Sequence, residues 1–500
     1  MNNIRVNYSG FIAFIGGLIS VTLGFIFTLT VTRTLTPEDY GVWGLLFSIV
    51  SYLLISEVII SYWTTRQIAR GENIGKSSIL SSLFLSISII PVFIIYIFFI
   101  SQNGVEHFET LLLGILLIPV IFLSQTLSSI NLGHKPHIVS FSQIIFQLIK
   151  IPLALLTLTV FDLGVLGIVI AIFFAFVGKI FVSLYYSKDW LKNKFSLNQL
   201  RNWIKFSWVP MFAHIPNFLI TVDVALYSLV TGSVIGIAYF QASYAIAAIV
   251  QNSGTISQAL YPKLLSNKKF DGIKTNFNYI LYFSILLVGI SIIFSKPALF
   301  AFNPLYQNIW PIVIIISLRI FLQSLRTIPF HIINGTEQID TEKNPTFSRL
   351  IKSNLFKMPK IISIFYSLYV ISLVIILAIS KNLSYSELDL VIFWALIGLF
   401  IEIPISIYLW TYSRQYFKIS FPVKNFLKYV IGISSMAIFF FMTSEIVLNY
   451  EPSIYVFLPS LLIELIMCVL IFIGITYFID NQTRNLFKLI FHEIASFSPK

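Results

Sequence analysis

The sequence predicts an all-α integral membrane protein of about fourteen transmembrane helices with both termini cytoplasmic, and three observations lead there. Apolar residues make up 57% of the 500 residues and charged residues only 11%, where a soluble protein carries about 25% charge. Apolar stretches recur along the whole chain, each near the ~20 residues that a spanning helix needs. Basic residues collect in alternate loops between those stretches, which is the pattern that orients a protein in a bilayer.

The spans are expected at 9–32, 40–62, 77–100, 110–132, 138–160, 164–186, 204–230, 234–260, 278–295, 310–334, 361–380, 388–411, 426–448 and 453–478. Loops on the N-terminal side, with both termini, hold 26 of the 33 Lys and Arg residues, and the opposite loops hold three: Arg33, Lys296 and Lys381. That side is therefore the cytoplasmic one. The eight tryptophans, Trp43, Trp63, Trp203, Trp310 and Trp410 among them, are placed near span ends, as interfacial aromatic belts require.

Several classes are excluded at this stage. The net charge of +12 would suit nucleic acid only if it were gathered on a soluble face. The single cysteine, Cys468, rules out a disulfide framework or a cysteine-rich metal site. His134 and His137 flank Lys135-Pro136 without a third ligand nearby, so no metal is expected, and no Walker A sequence provides for ATP. No cofactor is expected. Met1–Gly10 lacks the basic cluster of a cleavable signal, and the first apolar stretch is too long for one, so the first helix should stay in the membrane.

The longer inner loops are 187–203 and 335–360. The first suggests an N-lobe (1–187, spans 1–6), a cytoplasmic linker (188–203), a C-lobe (204–411, spans 7–12) and a C-terminal helix pair with tail (412–500). The two lobes echo one another: PEDYGVW (37–43) enters span 2 and SVIGIAY (233–239) enters span 8, with Gly41 and Gly236 standing 195 residues apart. SSINLGHK (128–135) and HIINGTEQ (331–338) form a second pair. Six spans per lobe is an even number, so the lobes would be parallel repeats about an axis along the membrane normal, with the substrate site between them.

The informative residues are the charges inside spans. An ionised side chain at the bilayer centre costs roughly 2.5–3.5 kcal/mol on insertion scales. Arg319, Gln323 and Arg326 share one face of span 10 at i, i+4, i+7 spacing. Arginine stays charged, so this face must meet water, an anion or a carboxylate, Glu402 or Glu464 being the structural alternative. In span 5, Gln143, Gln147 and Lys150 share a face, and Lys179 in span 6 lies near enough to the cytoplasm to snorkel. Span 8 carries Gln241, Tyr244, Gln251, Thr255 and Gln258. Such faces either line a wet central cavity or join helices by hydrogen bonds. The buried acids Glu57, Asp223, Glu402 and Glu464 either couple transport to an ion or neutralise buried cations, and Asp223 follows the span interrupted by Pro210 and Pro216. Thr36-Pro37-Glu38-Asp39 resembles an acidic enzyme motif but also fits a helix start, with Thr36 as cap, Pro37 first and acids on the positive dipole end.

Together RTLTPEDYG (33–41), TTRQIARGE (64–72), IPNFLITVDVALYSLVTGSVIGIAYFQASYAIA (215–247), ALYPKL (259–264) and NPLYQNIWPIVII (303–315) resemble the polysaccharide repeat-unit flippases (the Wzx type). That family belongs to a superfamily with lipid II flippases and multidrug and toxin extruders. The resemblance implies a flippase of the prokaryotic plasma membrane. By alternating access it would carry a polyprenyl-(di)phosphate-linked oligosaccharide from the cytoplasmic to the outer leaflet for surface-polysaccharide assembly. Its partners would be the lipid-linked oligosaccharide, membrane lipids and glycan-assembly enzymes, with no nucleic acid. Arg319, Arg326 and Lys150 could then neutralise the diphosphate, because Arg binds phosphate oxygens bidentately, while the glutamines and tyrosine bond sugar hydroxyls. Two rivals stay open: a cation-coupled multidrug extruder on the same fold, kept by Asp223, Glu402 and Glu464, and a membrane polysaccharide polymerase or glycosyltransferase. The short outer loops speak against an enzyme.

Overall fold

The computed structural model describes residues 6–102, 107–135, 137–259, 273–335, 351–417 and 420–496. Among these residues there is no β-strand. Eleven helices are long and apolar enough to cross a membrane, or twelve if one bent pair counts as a single span. The coarse expectation, an all-helical multi-pass membrane protein, is met; the number fourteen is not reached among the described residues.

Contacts divide the chain into two compact units, one holding Ile15–Ala242 and Ile339–Ile401, the other Ser243–Gln338 and Glu402–Lys500.

In the first unit, the helices that matter to function are α1 (Val6–Thr34, in part), α2 (Pro37–Leu53), α3 (Val58–Ala69), α4 (Gly75–Gln102), α5 (Gly114–His134), α6 (His137–Leu155), α7 (Gly164–Ser187), α8 (Leu197–Lys205), α9 (Trp208–Thr221), α10 (Asp223–Thr231) and α11 (from Ile235). α12 (Asn354–Asn382) and the first part of α13 (Glu387–Ser413) complete it.

The start of α2 follows its sequence. The Thr36 hydroxyl accepts from the Asp39 N–H at 3.1 Å, Pro37 takes the first turn, and Glu38 and Asp39 sit on the positive end of the dipole. The motif is a helix start. Span 2 is then broken where no proline or glycine announces it. The N–H groups of Leu54, Ile55, Ser56 and Glu57 turn back three residues instead of four, and α2 and α3 meet at 55°. Pro152 acts otherwise, for the helix runs on into a π-helical turn, Leu156–Val160, in which the Thr157 hydroxyl donates to the carbonyls of Leu153 and Gly167.

α2 packs on the entry to α11 through glycine. A Cβ on Gly41 would stand 2.0 Å from the carbonyl oxygen of Val234, and one on Gly44 would stand 3.1 Å from Gln241 and Ile237 side chains. The two turns that echo each other in sequence are therefore in contact, and only a residue without a side chain admits the approach.

In the second unit, α11 gives way at Ala248 to a 3-10 helix, Ala248–Ala259. Runs of this type longer than about four residues are uncommon. Here Asn252, Ser253 and Ser257 side chains donate to carbonyls three residues back, the spacing that 3-10 geometry offers. Around it stand α14 (Ile273–Ile293) and α15 (Trp310–Gly335), and Ser253 is bonded to Ser284 and Ser257 to Thr327. α16 (Val423–Val447), α17 (Ile454–Ile479) and α18 (Asn481–Ser496) finish the unit around an aromatic core that includes Phe277, Tyr282, Tyr429 and Phe472.

Two tryptophans correct the interfacial reading. Trp203 and Trp394 are buried and spend their indole N–H groups on Gln67 and on Asp223.

Candidate functional site

In the first unit the break between α2 and α3 carries Glu57. Its side chain is 3% exposed, and its carboxylate accepts from the Ser61 and Thr126 hydroxyls, the latter at 2.8 Å. Beside it lies a cavity of about 430 Å³ lined by Glu57, Ser61, Arg66, Gln125, Ser129 and His214, among others. Of the residues singled out from sequence for a site, Glu57 is the one that reaches this cavity. Gln125 and His214 were passed over, although each is a polar side chain inside an apolar span, which is the signal that would have found them.

Lys150 lies 7% exposed on α6, its ammonium 4.0 Å from the ring centre of Phe27 and 5.3 Å from that of Phe146. Among the described residues no carboxylate pairs with it. Aromatic faces attract a cation by about 0.5–2 kcal/mol, far less than the hydration it has lost. One turn away, the buried Gln147 Oε1 has no hydrogen-bond partner among the described residues. Gln143 is occupied, accepting from the Lys179 ammonium at 3.0 Å. Lys179 is itself buried, so hydrogen bonding to Gln143 replaces the snorkelling expected of it.

Asp223 opens α10. Its Oδ2 accepts from the Tyr369 hydroxyl at 2.6 Å and the Trp394 indole at 3.0 Å, and its Oδ1 from the Val224 N–H at 2.9 Å. Trp394 is clamped between the rings of Tyr227 and Phe240, at 5.0 and 3.9 Å, and that clamp aims the indole. All three members are buried.

In the second unit, α15 keeps the face on which Arg319, Gln323 and Arg326 were placed. The Arg326 guanidinium pairs with the fully buried Glu402 at 2.9 Å, and Gln323 donates to the other Glu402 oxygen at 3.0 Å. Arg319 is buried one turn before Gln323. Glu464 accepts from the Thr443 hydroxyl and pairs with no cation among the described residues, so of the two acids that could meet this face Glu402 is the one that joins it. In the span 8 stripe, Gln241 packs on Gly44, while Tyr244 and Gln251 are exposed. The side chains of Thr255 and Gln258 lie outside the described residues. The stripe presumed 3.6 residues per turn, and that register does not continue past Ala247, where three residues per turn takes over.

The comparisons with known proteins agree with one another. The structure is similar to the lipid II flippase MurJ in an inward closed conformation, with 18% identity, a TM-score of 0.65, and coverage of 93% of this chain and 99% of that one. It is also similar to a multidrug resistance MATE family transporter of the MOP superfamily. The inward-facing form gives 14% identity, a TM-score of 0.58 and coverage of 80% and 96%. The outward-facing form gives 14%, 0.53, and 81% and 94%. At such identities these likenesses establish the fold, that of the MOP transporters. No curated protein matches the sequence. The model for polysaccharide biosynthesis proteins matches residues 8–268, more than half of the chain. The resemblance read from the motifs is thereby borne out, and the chain belongs to the polysaccharide biosynthesis protein family.

Proposed function

We propose that this protein is a flippase that moves a polyprenyl-(di)phosphate-linked oligosaccharide from the cytoplasmic to the outer leaflet of a prokaryotic plasma membrane by alternating access. On this reading it is a transporter and not an enzyme. The observation that carries the reading is Lys150, a buried ammonium with aromatic faces beside it and no carboxylate among the described residues. A phosphate supplies the charge-assisted hydrogen bonds that such a group lacks. Arg319 and Arg326, on the helical face that carries Gln323, are the further candidate phosphate ligands carried over from the sequence. Gln143, Gln147, Gln241, Tyr244 and Gln251 are the candidate sugar contacts carried over from the sequence. The family and the fold shared with a lipid II flippase support the same direction.

The test is surface glycan in a strain lacking its native transporter, with membrane abundance followed in parallel. Lys150→Met and Arg319→Ala should each lower export at least tenfold at normal abundance, and Arg319→Lys should restore it in part because the fork is lost and the charge kept. Normal export by an abundant Lys150→Met, Arg319→Ala double variant would overturn the proposal.

A second reading, a cation-coupled multidrug extruder, is favoured by Glu57 and Glu464. Both carboxylates accept from neutral donors, hydroxyls in each case and the Cys468 thiol at Glu464, and neither has a cationic partner among the described residues. Efflux of organic cations by the purified protein, abolished by Glu57→Gln, would select it.

A further inference from the structure

We propose that the cavity beside Glu57 is a sugar subsite that takes a neutral, hydroxyl-rich ring of the lipid-linked glycan. The inference rests on the flippase reading and adds to it a place for the head group, at residues none of which were assigned to the sugar above.

The argument begins with groups that the fold leaves unspent. Gln125 stands in the middle of α5 between Ser124 and Thr126, both buried, yet Gln125 is itself exposed, and it is exposed into the cavity. Among the described residues its amide makes no hydrogen bond, and neither do the His214 ring or the Arg66 guanidinium. Arg66 is positioned without using its N–H groups, since it lies over the Tyr62 ring at 4.5 Å. Gln125 and His214 stand inside apolar spans and Arg66 in the last turn of α3, and three polar side chains without hydrogen bonds among the described residues, converging on a single cavity of about 430 Å³, point to a ligand. The volume falls in the range of small-molecule sites, about 300–1,000 Å³.

The chemistry of the ligand follows from the donor and acceptor inventory. Arg66 offers donors only, Gln125 offers both, and a neutral His214 offers one of each. Glu57 is an acceptor whose oxygens already take one proton each from the Ser61 and Thr126 hydroxyls, leaving about two lone-pair sites of four. A ring whose hydroxyls each donate and accept matches such a mixed set. A single guanidinium among otherwise neutral or acidic polar groups suits a neutral ring better than the diphosphate end of the substrate. The cationic residues Lys150 and Arg319 are left for that end.

The experiment uses the full chain in lipid nanodiscs and two probes, a bare polyprenyl diphosphate and the same lipid carrying one N-acetylhexosamine. Ser129→Cys places a reporter thiol on the cavity wall, and the native Cys468, being buried, gives no background. The glycosylated lipid should slow maleimide labelling of that thiol while the bare lipid does not, and it should bind about tenfold more tightly than the bare lipid. Gln125→Ala with His214→Ala should bring its affinity down to that for the bare lipid. Equal affinities in the unsubstituted protein, or equal protection by both lipids, would overturn the subsite while leaving the flippase reading intact, provided that bare-lipid binding depends on Arg319. Failure to bind either lipid would overturn both.

Discussion

Two buried carboxylates in each unit are held by different means. In the first, Glu57 is held by the hydroxyls of Ser61 and Thr126, and Asp223 by a phenol, an indole and a backbone N–H. In the second, Glu402 is held by the Arg326 guanidinium with Gln323, and Asp480, at the end of α17, by Lys428 at 3.0 Å and by Thr483. Neutral donors leave a carboxylate free to take up and release a proton without stranding a counter-charge. A guanidinium fixes the charge state of its partner, because arginine does not give up its proton. The contrast holds for these four carboxylates, while Glu464 in the second unit, which accepts from the Thr443 hydroxyl, follows the pattern of the first.

The largest expected effect comes from removing a permanent charge. Arg326→Ala leaves Glu402 buried without its cation and should destabilise the protein by about 3–5 kcal/mol. Thermal unfolding in detergent reads this, and adding Glu402→Gln should recover most of the loss. If Arg326→Ala costs no more than a lost neutral donor, the contrast between the units dissolves. The next effect is smaller. Trp394→Phe keeps the stack between Tyr227 and Phe240 but removes the indole donor from Asp223, which should cost about 1–3 kcal/mol. Loss of the tryptophan signal as a probe makes circular dichroism the suitable measurement. Gly41→Ala should cost a comparable ~1–3 kcal/mol, because the new methyl meets a backbone oxygen and not a flexible side chain. A similar loss from Gly24→Ala, where the added atom would meet open space, would show that the cost is not steric.

The smallest effect is one of pH. Burial pushes the Asp480 carboxyl up, but Lys428 and the two bonds from Thr483 more than offset it and hold the carboxyl below its ordinary value. A depressed acid stabilises the fold in full above the ordinary carboxylate range and loses that contribution as pH falls through the depressed value. Lys428→Met should therefore lower stability modestly at neutral pH and change little once Asp480 is protonated, so that the acid limb of the stability profile flattens. An unchanged acid limb would mean that Thr483 alone sets the depression.

Apolar runs made most of the helices legible, since nothing but a helix satisfies a lipid-exposed backbone in this composition. The Thr36 cap was legible because its partner is three residues away. The Arg319–Gln323–Arg326 face was legible because its helix is regular. The break at Leu54–Glu57 was not: no proline or glycine marks it, and a carboxylate seeking Thr126, 69 residues on, was the only local hint. Tyr369 and Trp394 were hidden for the same reason, as aromatic residues inside apolar runs whose polar atoms find Asp223 from 146 and 171 residues away. Gln125 and His214 were visible as anomalies, but what they face is a property of the packing alone.

The 3-10 stretch Ala248–Ala259 has a mechanical consequence. At about 2.0 Å per residue its twelve residues reach about 24 Å, where an α-helix would reach about 18 Å. The difference of about 6 Å is close to the pitch of one α-helical turn. Each residue that exchanged an i−3 bond for an i−4 bond would also unwind the segment by about 20°, from 120° to 100° per residue. A change of hydrogen-bond register would thus deliver a screw stroke, shortening and rotating the segment together without a loop or a hinge. Paired spin labels flanking the stretch would read that stroke directly as a distance.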